Sequence, residues 1–158
     1  MKNKTLPWMI PWTLVILWMA MIFLFSHQPA TESSDLSSGI TKTIADIITS
    51  TAPEIKLNQE SLHFFIRKCA HFGVYLILGL LVANGLSHYN MSGLKVILLA
   101  FLLCGLYAIS DEIHQLYVQG RSGQVSDVLI DSSGALVGIL SIVAIRSWLI
   151  KKRNKQNI

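Results

Sequence analysis

Charged residues are scarce in this chain, at 14% of the total against 52% hydrophobic. That balance excludes an ordinary soluble domain, in which about a quarter of residues carry charge. Cysteine is equally sparse: Cys69 and Cys104 are the only two, and the sequence holds no HExxH, CxxC pair or paired-Asp metal motif. Both thiols fall in apolar runs at different expected depths, so two buried free cysteines are expected rather than a disulfide or a metal site. At 158 residues the chain is too short for a transporter built of two repeated halves, and one membrane domain covering all of it is expected. Nucleic-acid binding is excluded as well, because the net charge of +4 comes largely from the terminal Lys and Arg that anchor membrane helices.

Four apolar segments reach the roughly 20 residues needed to cross hydrocarbon. They lie at approximately 6–26, 62–87, 94–118 and 127–150. The expected fold class is therefore all-α, a polytopic membrane protein with four transmembrane helices. The first segment is too long for a signal-peptide core and lacks a small-x-small cleavage site. Lys2, Lys4, Lys95 and the closing KKRNK place both termini in the cytoplasm, with Arg67, Lys68 and Arg121 counting against that orientation. Trp8, Trp12, Trp18 and Trp148 are expected as interfacial anchors or lipid-facing bulk.

Residues 27–61 form the one long connection, which this orientation puts outside the cell. Leu36, Ile40, Ile44, Ile47 and Ile48 recur at helical spacing, which points to an amphipathic helix on the membrane surface. A loosely ordered Ser/Thr-rich loop is the alternative. Pro53 would end such a helix, and Asn58 would cap the next.

The stretch YAISDEIHQLYVQGRSGQVSDVLIDSSG, residues 107–134, sets ionisable side chains against two apolar runs. At about 1.5 Å rise per residue, Asp111, Asp127, Asp131, Arg67 and His71 all come to similar depth near one interface. Helical spacing aligns Arg67, His71 and Tyr75; Asp111, His114 and Gln115; and Asp127, Asp131, Gly134 and Gly138. Ionisable groups at that depth must turn inward and find partners. Gly134 and Gly138 carry the small-xxx-small spacing of close helix crossings.

Together with FSHQ at 25–28, the runs RKCAHFGVYLILG at 67–79 and SDEIHQLYVQGRSGQVSDVLIDSSGALVG at 110–138 resemble the VanZ-like family of bacterial membrane proteins. The resemblance implies a small multi-helix protein of the bacterial cell membrane, associated through the family's founding member with resistance to the glycopeptide teicoplanin. It brings no settled biochemical activity. The positions it carries over are Arg67, Lys68, His71, Tyr75, Asp111, Glu112, His114, Gln115, Gly120, Arg121, Asp127, Asp131 and Gly134.

Three functions fit these residues. In the first, Arg67, Lys68 and Arg121 face phosphate while His71, Tyr75, Asp111, Glu112, His114, Gln115, Asp127 and Asp131 hydrogen-bond the rest of a lipid headgroup. The partners would be membrane lipids, and among them a lipid-linked cell-wall precursor, or a glycopeptide. The second is a hydrolase of a lipid-linked substrate, with His71, Glu112 and His114 as acid and base. No cofactor is required by the sequence, although this second reading admits a divalent metal on His71, Asp111, His114 and Asp127. The third is a purely structural network in which the three basic residues neutralise Asp111, Glu112, Asp127 and Asp131. Ser26 and Gln28 are expected at the pocket rim, and His27, His63 and His88 at the interface. Proton transport is disfavoured, since polar residues gathered at one leaflet make no path across.

Overall fold

The computed structural model describes residues 6–52, 54 and 58–156; Lys2, Lys4, Pro53 and the side chains of Trp8 and Leu36 lie outside that description. Five helices follow one another: α1 (Leu6–Ser26), α2 (Ala30–Thr51), α3 (Gln59–Leu86), α4 (Gly93–Gln115) and α5 (Val125–Gln156). Among the described residues there is no strand. Helices α1, α3, α4 and α5 are long and apolar enough to span a membrane, so the chain is an all-α, multi-pass membrane protein.

Local chemistry sets the helix limits. Asn58 caps α3, its side chain accepting the Ser61 N–H at 3.1 Å, so that helix starts at Gln59 rather than 62. Ser92 opens α4 in the same way through Lys95 N–H. That helix stops at Gln115 instead of 118, and Gly120, at φ +75°, reverses the chain behind it. Helix α5 runs past 150 to Gln156, its last turn carrying Arg153 and Lys155, cations that suit the negative end of a helix dipole.

A continuous helix α2 answers the question left open for the long connection. Thr41 and Ala45 are buried and Ile44 and Ile48 half-buried in the contact with α3, whereas Ile40 and Ile47 project outward. The side toward the protein thus alternates small residues with isoleucine, and Ile40, although largely exposed, borders a cavity between α1, α2 and α3.

The centre of the bundle is the crossing of α3 with α5. A Cβ added at Gly134 would fall on the Phe72 carbonyl oxygen, and one at Gly138 on that of Leu76. Gly79 meets the Ala135 carbonyl from the opposite side. The spacing of Gly134 and Gly138 therefore works as a small-residue crossing, with backbone against backbone. Tyr75, Leu78, Ala135 and Ile139 fill the seam and are fully buried.

Two assignments need correction. Cys104 is buried, but Cys69 is exposed, because α3 turns that face away from the bundle. Trp18 does not face lipid; its Nε1 donates to the Val74 carbonyl at 3.0 Å. The ring of Trp12 likewise lies over Gly85, where the missing side chain makes room for an indole. Trp148 is exposed as expected.

Candidate functional site

The end of α1, the start of α3, the end of α4 and the start of α5 meet at one end of the bundle. Ser26 Oγ donates to Asp111 Oδ2 at 2.8 Å, joining α1 to α4. Gln115 Nε2 reaches the same carboxylate oxygen at 3.3 Å from one turn along α4. Lys68 pairs with Asp127 across α3 and α5. One turn deeper, His71 Nδ1 lies 3.3 Å from Asp131 Oδ1, close enough for electrostatic contact although not aligned as a hydrogen bond.

Arg121 holds the loop side of this cluster. Its Nε donates to the Gln28 carbonyl at 3.0 Å, Nη2 to the Phe25 carbonyl at 3.1 Å and Nη1 to Gln115 Oε1 at 3.1 Å. A cation thus satisfies the free carbonyls at the end of α1, where the helix dipole is negative. Burial, with the Arg67 guanidinium nearby, draws the pKa of Arg121 below its ordinary value. Glu112 serves the opposite helix end by accepting the Gln124 N–H just ahead of α5. Two of the expected charge pairings are therefore replaced by contacts with helix ends. Of the three basic residues, Lys68 alone pairs with a carboxylate, and Arg67 makes no hydrogen bond or ion pair among the described residues.

Two cavities open on this cluster. The smaller, about 130 Å³, is polar and is lined by Lys68, Gln124 and Asp127. The larger, about 280 Å³, lies between α1, α2 and α3, with Ile22, Phe25, Ile40 and Val74 among its walls. Arg67, His71 and Arg121 line both. At the inner part of the larger cavity stand Tyr75, 1% exposed, and Asp111, 4% exposed. Tyr75 Oη and Asp111 Oδ1 find no hydrogen-bond partner among the described residues.

The remaining candidates sit elsewhere. His114 lines neither cavity; its ring packs on Phe23 with centroids 4.5 Å apart, and its Nε2 is 3.2 Å from Nδ1 of His27. Helix α4 turns that position toward α1, away from His71. Among the described residues no three His, Cys, Asp or Glu side chains gather as a metal's donor set, so His71, Asp111, His114 and Asp127 are not assembled around one point. Asp131 is buried behind His71, and Glu112 behind the α5 start; neither lines a cavity.

Gln124 and the α2 residues Ser33, Ser37 and Ile40 also line the cavities. Sequence reasoning passed over them. Gln124 carries no charge to flag it, and the docking of α2 is a tertiary contact. Ser26 and Gln28 both line the larger cavity, but Ser26 is buried and bonded to Asp111 rather than standing at a rim. Of the interfacial histidines, His88 is exposed and bonds its own helix at Asn84, whereas the Nε2 of His63 is buried with no partner among the described residues.

Residues 11–146 match the family model described as VanZ/LLP1. No curated protein and no solved structure matches the chain significantly.

Proposed function

The chain belongs to the VanZ/LLP1 family, and from that premise we propose that it binds the phosphate-bearing headgroup of a membrane lipid at the end of the bundle where α1, α3, α4 and α5 meet. The observation that carries this reading is the sharing of Arg67, His71 and Arg121 by a polar and an apolar cavity. A lipid needs both surroundings at once. Its phosphate suits the basic side chains, and the first part of its hydrocarbon suits Ile22, Phe25, Ile40 and Val74. Among the described residues Arg67 has no competing partner to surrender. In the bacterial cell membrane, with both termini cytoplasmic, the site opens at the outer leaflet. Binding a lipid-linked cell-wall precursor there would alter its exposure to teicoplanin-type glycopeptides, which is how the family's association with resistance is best accommodated.

The test is binding by purified protein in detergent, measured by native mass spectrometry with phosphatidylglycerol and with diacylglycerol of matched chains. Phosphatidylglycerol is expected to bind more tightly, and Arg67→Ala to weaken it by about tenfold, the loss of one charge-assisted contact. Equal binding of the two lipids would overturn the reading.

Hydrolysis is the second reading, favoured by one arrangement. His71 lines both cavities while Asp131 stands 3.3 Å from its Nδ1, the imidazole–carboxylate relationship of a general base. Incubation with labelled phosphatidylglycerol distinguishes the two readings. Conversion that is lost in His71→Gln supports hydrolysis, and recovery of intact lipid leaves binding alone.

A further inference from the structure

We infer that the larger cavity recognises a protonated primary amine joined to the phosphate, so that the preferred headgroup is zwitterionic, of the aminoalkyl phosphodiester class. This rests on the headgroup reading above and narrows it.

Asp111 is the starting point. One of its oxygens, Oδ2, is held by Ser26 and Gln115, both neutral donors, which fix the plane of the carboxyl group. The other, Oδ1, is buried and has no donor among the described residues, and the residue itself lines the larger, mainly apolar cavity. The cation positioned to answer it, Arg121, spends its hydrogen bonds on two carbonyls and on the amide of Gln115. Nor does His71 form an ion pair with Asp111; its carboxylate contact is Asp131. A buried carboxylate oxygen without a donor costs several times what an ordinary hydrogen bond contributes, so a ligand that brings N–H groups and positive charge gains most there.

Tyr75 supplies the second observation. Its hydroxyl is also buried and without a partner among the described residues, and Tyr75 lines the same cavity, although the neighbouring Tyr107 hydroxyl finds the Met19 carbonyl at 2.6 Å. Asp111 and Tyr75, both lining this cavity, thus each hold a buried polar atom with no partner among the described residues; Glu112 and Asp131, which also hold such atoms, line neither cavity. A third feature fixes the other half of the ligand. Arg67 lines this cavity too, makes no hydrogen bond or ion pair among the described residues, and offers a guanidinium to phosphate. Anion site and carboxylate in one space match a headgroup that carries both signs. Phosphate alone would leave Asp111 unanswered and bring a second negative charge toward it.

The test compares phosphatidylethanolamine, its N-acetylated derivative and phosphatidylglycerol, all with matched chains, competing for the purified full-length protein. Phosphatidylethanolamine is expected to bind about tenfold more tightly than either, since acetylation removes the charge but keeps phosphate and chains. Asp111→Asn should bring the ratio of ethanolamine to glycerol lipid toward one, and Tyr75→Phe should lower it by a few-fold. If Asp111→Asn does not fold, the acetylation comparison in the unaltered protein decides alone. Competition by soluble glycerophosphoethanolamine assigns the recognised chemistry to the headgroup itself; its failure, with the lipid still preferred, makes the chains part of recognition. Equal binding of all three lipids, still weakened by Arg67→Ala, overturns this inference and leaves phosphate binding standing. Binding of none, or equal binding of diacylglycerol, removes both.

Discussion

Ser26 Oγ lies 2.8 Å from Asp111 Oδ2, so the last residue of α1 holds the carboxylate that α4 carries into the bundle. The contact spans 85 residues of sequence and leaves the second oxygen of this cavity-lining carboxylate without a partner among the described residues. One hydrogen bond thus links helix packing to the chemistry offered to a ligand. Ser26→Ala should leave both helices in place and loosen the orientation of Asp111.

Arg121 makes three hydrogen bonds, two of them to the end of α1. Arg121→Ala is expected to destabilise the protein by about 3 kcal/mol, the scale of losing three hydrogen bonds from one charged donor at a partly exposed site. Arg121→Lys should recover less than half, because an ammonium lacks the fork that reaches Phe25 and Gln28 together. Unfolding in detergent followed by circular dichroism measures both, and an unchanged midpoint in Arg121→Ala would show the staple to be unimportant.

The crossing of α3 with α5 gives a controlled pair of variants. Gly138→Ala places a methyl on the Leu76 carbonyl and should cost about 1–3 kcal/mol by forcing the helices apart. Gly105→Ala meets nothing within 4 Å and should be neutral or stabilising by up to about 1 kcal/mol, through helix propensity. Equal midpoints for the two would contradict the close crossing.

Lys68 and Asp127 should behave as a coupled pair. Asp127 is buried, so Lys68→Met leaves a carboxylate without its partner and should lower stability by roughly 3 kcal/mol or more. Adding Asp127→Asn should return much of that loss. Additive losses in the double variant would show that the two side chains do not interact.

His71 and His114 should part company in ligand binding. His71 lines both cavities and His114 lines neither, packing instead on Phe23 and His27. His71→Gln is expected to weaken phosphatidylglycerol binding by several-fold, the scale of one hydrogen bond, and His114→Gln to change it less than twofold. The reverse order in native mass spectrometry would move the site to the α1–α4 face.

Orientation has its own measurement. Reporters fused at residue 90 and at the C-terminus should read cytoplasmic, and those at residues 45 and 122 external, as the Lys95 and terminal KKRNK positions imply. An inverted pattern would place the cavities at the inner leaflet and remove the link to glycopeptides.

Much of this protein follows from the chain read alone. Four apolar runs in a low-charge sequence dictate four spanning helices, because unpaired backbone groups are intolerable in hydrocarbon and a helix satisfies them within one segment. The same geometry set Arg67, His71 and Tyr75 on one stripe, and all three line the larger cavity. Asn58 could be read as a cap because capping is local.

Partner choice was not local, and there only the tertiary structure decided. Counting charges joined Arg121 to a carboxylate, yet the folded chain brings it to the Phe25 and Gln28 carbonyls at the end of α1, which the helix itself leaves short of donors. Depth placed His114 beside His71, but depth does not fix rotation about a helix axis. The packing of α4 on α1 turned His114 to His27 and left Asp111 on the cavity. The residues available to a headgroup were therefore legible as types and depths, while the two atoms of the larger cavity's lining left without a partner among the described residues, Asp111 Oδ1 and Tyr75 Oη, emerged only once Ser26, Gln115 and Arg121 had taken theirs.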